Sequence, residues 1–194
     1  MISVSEASAI ILANLFKPKN ETVRIDASVG RILAEPVHAD RDFPPFHRVS
    51  MDGVAINSHS FKNGQRQFQI ETTQAAGMPQ MKLKDAFSCI EVMTGAILPE
   101  GADAVIRYED VEIKNGNATI LINQVDSGLS IHSQAQDASK NEQLLSPGQK
   151  ISPAEIALMA SVGKTSVRVY AFPRTAIIST GDELVGVDQI PLPH

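Results

Sequence analysis

The chain has 194 residues, 43% of them hydrophobic, enough to bury the core of one large domain or two small ones. Acids outnumber bases 22 to 17 for a net charge of −5, and the bases are scattered, which argues against a nucleic-acid partner. One cysteine, Cys89, rules out an internal disulfide, and no apolar run approaches the roughly 18 residues of a membrane span. The N-terminus lacks the basic region and cleavage site of a signal peptide, so the expected setting is cytoplasmic, with no membrane contact.

In chain order, Ser3 and Glu6 have capping-box spacing and open a helix over 3–17, in which Val4, Ala7, Ile10, Ile11 and Leu15 recur at helical period. Lys17-Pro18 ends it. "TVRI" (22–25) alternates as a strand does, and "ASVGRILAEPV" (27–37) predicts a short helical turn closed by Glu35-Pro36. A proline-stiffened loop over 40–51 follows. From 52 to about 145 the texture changes to short strands at 52–56, 66–71, 87–93, 104–113 and 118–123. The last two are joined through Asn115-Gly116-Asn117, a hairpin signal. Residues 130–143 are polar and predict an extended loop.

Ser152-Pro153-x-Glu155 then combines an N-cap, a proline at the first helical position and a capping-box glutamate, and the helix runs to Gly163. A strand is expected at 166–171. Another, over 174–184, runs into "STGDE" as the opening of an α/β unit, with neither a neighbouring strand nor a crossover helix behind it. The fold class expected is α+β and β-rich. A discontinuous linker domain (1–45 and 146–172) carries an inserted β-rich domain (46–145), and 173–194 begin a truncated α/β domain. The helix over 3–17 belongs either with the linker or with the missing domain.

Four segments combine turn residues with hydroxyls or carboxylates. "SMDG" (50–53) is either an ordinary Asp-Gly turn or a carboxylate held for proton or metal work. In "MTGA" (93–96), Thr94-Gly95 after a strand offers a hydroxyl and backbone N–H groups to an anion. Asp137 by itself is a solvated acid. "STGDE" (179–183) places hydroxyls at the carboxyl edge of a strand, where α/β ligands bind. Histidines 38, 47, 59, 132 and 194 show no zinc-ligand spacing, and neither a Walker A loop nor a Gly-x-Ser-x-Gly elbow is present.

The order of "GRILAEPV", "DFPPFHRVSMDGVAI", "MTGAILPEGADAVIRYED", "LSPGQKISPAEIALMASVG" and "AIISTGDEL" resembles the molybdopterin molybdenumtransferase family, MoeA and the gephyrin E domain, over about residues 3–185. The resemblance implies molybdenum cofactor biosynthesis: insertion of molybdate into adenylylated molybdopterin with release of AMP. It implies a homodimer that uses Mg2+, with a cleft between the β-rich domain of one subunit and the α/β domain of the other. It also implies catalytic roles for Asp52, Thr94, Asp137 and Glu183. Ser50, Gly95, Thr180, Gly181 and Asp182 are the ligand-binding candidates beside them, and the metal ligands are left unassigned. In chemical terms, carboxylates suit the cation, while Thr94 and turn amides suit the anion. The chain departs from the family before Asp137, where His132, Gln134 and Gln136 stand in a stretch otherwise rich in arginine. Anion binding there is weakened, or passes to Arg48, Arg107 or Lys140. The chain alone is expected to be inactive. The alternative readings are a non-catalytic dimerisation or scaffold module, as in gephyrin, and a plain β-rich domain without a ligand.

Overall fold

The computed structural model describes residues 2–181 and 183–191. Helix α1 (Val4–Ala13) has the expected capping box: Glu6 Oε2 accepts from the Ser3 N–H at 2.7 Å, and Ser3 Oγ accepts from the Glu6 N–H at 3.2 Å. None of its residues is buried, and Ile10, Ile11 and Leu15 all face outward. Strand β1 (Asn20–Arg24) follows. The helical turn expected over 27–37 does not form. A 3₁₀ turn at Ile25–Ala27 is followed by Gly30 at φ 80, and the chain then runs extended into β2 (Val37–His38). Its Leu33 N–H and Ala34 N–H are taken by the Gln149 and Arg168 carbonyls, so ladder-like pairing replaces helical hydrogen bonds.

Next come β3 (Arg48–Val49), β4 (Gly53–Ile56), α2 (Ser58–Lys62) and β5 (Gln67–Gln74). They are followed by β6 (Ser88–Val92), β7 (Ala104–Arg107), β8 (Val111–Lys114) and β9 (Asn117–Ile120). The strand expected over 104–113 is therefore two strands, split by a 3₁₀ turn at Tyr108–Asp110. The break has a topological cause. A six-stranded sheet runs β7-β4-β6-β5-β9-β8, parallel only between β5 and β6, and β7 and β8 form its opposite edges. Since one 3₁₀ turn joins those edges, the sheet has to curl. Asn115 and Gly116, at φ 50 and 75, supply the hairpin from β8 to β9 as the sequence predicts.

Two cores lie on the two faces of the curled sheet. Val54, Ile56, Phe68, Cys89 and Ile106 pack on one side, while Ala55, Ile90, Val92, Val105 and Leu98 pack on the other. Burial pushes the Cys89 thiol up to about 12, so it packs as a small apolar residue. Strand β4 is buried along its whole length. Gly53 pairs with Val92 on one side and Arg107 on the other, and a Cβ there would lie 2.7 Å from the Ile106 carbonyl carbon.

A third core gathers Leu33, Val37, Leu145, Ile151, Met159, Val167 and Val169 from both ends of the chain. It is held by β1 paired with β12 (Ser166–Tyr170) and by β2 paired with β11 (Gln143–Leu145). Helix α3 (Pro153–Ser161) closes it, with its Ser152–Glu155 capping box formed. Gly163, at φ 74, ends α3: its N–H bonds the Ala160 carbonyl and the Lys164 N–H bonds the Met159 carbonyl, a Schellman motif. Glu35 ties this layer together, accepting from Lys164 Nζ at 2.7 Å and Arg168 Nε at 2.9 Å. Burial pushes its carboxyl up, but those hydrogen bonds outweigh burial and hold it below the ordinary glutamate value. The strand expected over 174–184 is not formed among the described residues. Ile177 and Ile178 are 94% and 81% exposed, and among the described residues no strand pairs with them to complete a ladder.

Two outcomes follow from this packing. Gly53→Ala forces the β4 and β7 backbones apart and should cost about 2–3 kcal/mol in urea unfolding. Glu35→Gln removes the charge shared by Lys164 and Arg168 and should cost about 1–2 kcal/mol. Because the folded-state pKa of Glu35 is depressed, its contribution is fully present above the ordinary glutamate value. It is lost as pH falls through the folded value, so the parent and Glu35→Gln should converge in stability in acid.

Candidate functional site

Asp52 sits where the chain enters β4, one residue before the glycine wedged between β6 and β7. Its position is fixed by its own carbonyl, which accepts from the Tyr108 N–H at 3.2 Å, and by that glycine. Its carboxylate meets Thr94, which follows β6 after Met93. The Thr94 N–H and hydroxyl both donate to Asp52 Oδ1, at 2.6 and 2.7 Å. Those bonds, the hydroxyl's first, hold the Asp52 carboxyl below the ordinary aspartate range. Oδ2 accepts no hydrogen bond among the described residues, and the side chain is exposed. The donors expected to face an anion are thus turned onto a neighbouring carboxylate. Thr94 orients Asp52 and favours its ionised form.

The turn that carries Thr94 is strapped to β3. Gly95, at φ 90, donates to the Val49 carbonyl at 2.9 Å, and Val49 donates back to the Ala96 carbonyl at 2.9 Å. A non-glycine residue would be strained at that φ, which is why this turn needs Gly95. Ser50 continues β3 and donates its N–H to the Ser130 carbonyl at 3.1 Å. Strand β3 pairs with β10 (Ile131–His132), so one short strand connects the Asp52–Thr94 corner to the polar loop.

That loop is not loosely solvated. Phe43 exchanges backbone hydrogen bonds with Ala138 and accepts from the Asp137 N–H at 2.8 Å, while the Pro44 carbonyl accepts from Ala135. Asp42 accepts from Gln134 Nε2 and the Lys140 N–H, and His47 Nδ1 accepts from the Gln134 N–H. The stretch "DFPPFH" is a cradle for residues 134–140. Within it Asp137 Oδ1 lies 2.8 Å from His132 Nε2, so His132 is the base beside the acid where the sequence lacks arginine. Arg107 is held by Asp110 through two hydrogen bonds to one carboxylate oxygen. Among the described residues no carboxylate pairs with Arg48 or Lys140.

Residues near the corner that the sequence did not single out are Glu91 and Tyr108. The Tyr108 hydroxyl donates to Glu91 Oε1 at 3.1 Å, and Thr73 Oγ1 donates to Oε2 at 3.3 Å. Burial first, then the Glu91 charge, with a further contribution from Asp52, raises the Tyr108 phenol to about 12. Alternation along β6 was the available signal: Glu91 follows Cys89 by two and so shares its face.

The remaining candidates are not brought to this corner. Thr180, Gly181 and Glu183 are exposed, in a segment without regular structure, and no hydrogen bond or ion pair joins them to Asp52, Thr94 or Asp137 among the described residues. Asp182 lies outside the described residues. No group of three or more His, Cys, Asp or Glu among the described residues is placed to hold a metal ion. Asp52, with one free oxygen, supplies at most a single ligand, so these residues do not by themselves compose a Mg2+ site.

Comparison with known proteins bears on this arrangement. Residues 2–163 match the family described as the MoeA N-terminal region, domains I and II. The molybdopterin molybdenumtransferase of Synechocystis is 44% identical over 195 residues, spanning 100% of this chain and 50% of its own. The Bacillus subtilis protein of the same name is 33% identical, over 96% of this chain and 45% of its own. Crystal structures of the molybdopterin biosynthesis MoeA protein from Pyrococcus horikoshii superpose with TM-scores of 0.79 and 0.73 at 30% and 29% identity. They cover 99% and 78% of this chain and 50% and 41% of theirs. The chain thus spans about half the length of these relatives, and it belongs to the MoeA N-terminal family.

Proposed function

We propose that this chain is the portion of a molybdenum-inserting transferase that presents Asp52 to the substrate, in the transfer of molybdate to adenylylated molybdopterin. The observation that carries this reading is the corner itself. Asp52 is anchored by its backbone, oriented by two donors on one oxygen that favour its ionised form, and left with its second oxygen open to solvent. A carboxylate so held can orient a water or accept its proton during adenylate cleavage, with little loss of freedom at the moment of reaction. His132, on β10, and Asp137, in the loop after it, form a second polar group facing solvent, and we place them at the same cleft.

Residues 1–45 and 146–172 form the linker unit in this reading and 46–145 the substrate-facing unit, supported by the separate third core, which also draws in β11 at the end of the substrate-facing segment. The rest of the cleft, including the surroundings of Glu183, Thr180 and Gly181, comes from the portion that the relatives have beyond the matched half. The chain alone does not turn over. The working form is a cytoplasmic homodimer with Mg2+ held largely by substrate and water. Among the described residues no helix is long and apolar enough to cross a membrane.

The test is a chimera joining this chain to the remaining half of the Synechocystis relative, assayed for cofactor formation from molybdate and adenylylated molybdopterin. Asp52→Asn should lower turnover at least about 100-fold while unfolding stays cooperative; turnover at the parent's rate would refute the reading. Thr94→Val removes the first cause of the depressed Asp52 pKa. The carboxylate is lost as pH falls through its folded value, so the variant should lose activity at higher pH than the parent. An unshifted acid limb in the pH–rate profile would show that Thr94 does not tune Asp52.

A further inference from the structure

Gln74, the last residue of β5, is the one long polar side chain among the described residues that is fully buried, at 0% exposure. A buried primary amide is costly unless both its ends find partners. Here Nε2 donates to the Ile97 carbonyl at 2.6 Å, and Oε1 accepts from the Met81 N–H at 2.8 Å. One partner is a carbonyl and the other an N–H, so the amide has a single satisfied orientation. The backbone carbonyl of Gln74 also accepts from the Met93 N–H at 3.2 Å. A register shift between Ile70 and Thr73 sets Gln74 opposite Val92, immediately before that turn.

These bonds bracket Thr94. Met93 and Ile97 are the two ends of the turn that carries it, and Gln74 grips both from the side opposite β3. Met81 ends the loop 75–81, whose Ala76 Cβ lies 3.4 Å from where a side chain on Gly95 would begin, and Gln80 Nε2 adds a bond to the Leu98 carbonyl. Strand β3 alone would leave the turn fastened along one edge. With Gln74 it is fastened along both, and Thr94 can aim two donors at one oxygen of Asp52.

We infer that Gln74 is a positioning residue for the reaction, acting through Thr94 on Asp52 without touching substrate. The inference rests on the functional reading given above for that corner. Its test uses the same chimera with Gln74→Met, which keeps the volume and removes both amide bonds, beside Asp52→Asn and Val37→Ala. Val37 lies in the third core, and its variant gauges the effect of lost stability by itself. Below the melting temperature of every variant, Gln74→Met should lower kcat about tenfold with KM for molybdate changed less than about twofold, while Val37→Ala keeps the parent's kcat. Amide exchange gives a readout free of turnover: the Thr94 N–H should lose protection in Gln74→Met, and the Ile56 N–H in β4 should not. If Gln74→Met does not fold, Gln74→Asn, one methylene too short to reach both partners, is held to the same two criteria. Parent-like kcat or Thr94 protection in the folded variant, with Asp52→Asn inactive, overturns the inference alone. An active Asp52→Asn overturns the functional reading and the inference with it.

Discussion

A carboxylate that accepts two hydrogen bonds through one oxygen is a directional object, and the geometry of this protein depends on keeping it so. Asp52 cannot swing away from Thr94 because the next residue, Gly53, is wedged between two strands at a distance no side chain would allow. Thr94 cannot drift because its turn is laced to β3 and to Gln74. The curl of the sheet follows from the same region: the 3₁₀ turn that carries β7 into β8 begins at Tyr108, whose N–H holds the Asp52 carbonyl. The corner is therefore held by backbone contacts on the Asp52 side and, on the Thr94 side, by the turn's bonds to β3 and to the Gln74 amide.

The proline-rich stretch before Asp52 has a role distinct from stiffening the approach to it. Its carbonyls and N–H groups pair with residues 135–138, and Asp42 and His47 at its two ends hold Gln134 and Lys140. Prolines suit this task because they fix φ and withdraw their own N–H, leaving carbonyls to accept from the partner loop. The result binds Asp137 and Asp52 to one framework although 85 positions of sequence, by subtraction of their numbers, separate them. A histidine then stands where an arginine-rich stretch was expected, and it meets Asp137 directly.

Much of this was legible in the residues. Caps at Ser3 and Ser152, the Schellman glycine at 163 and the Asn115-Gly116 hairpin all formed as read, because each is a contract among neighbours three to six positions apart. Asp52 and Thr94 were both singled out, but not as partners, and Thr94 was given an anion to hold when its donors face a carboxylate. Gln74 and Tyr108 carry no local signature, being a glutamine in a strand and a tyrosine at a strand end, and only the alternation of β6 marks Glu91. The readings that failed, a helical turn over 27–37 and strands over 104–113 and 174–184, were ones whose state is set by what lies beside them.

By itself, then, the sequence determined the β-rich class, the positions of caps and turns, and the acids and hydroxyls worth following. All of these depend on bonds that close within a few residues. Only the tertiary structure decided that β7 and β8 lie at opposite sheet edges, that one carboxylate oxygen takes both donors of Thr94, and that a buried amide fastens the turn between them. Those outcomes require segments tens of residues apart to meet. Which of the possible meetings occurs is settled by burial of the two faces of a curled sheet, a property of the whole chain and of no stretch within it.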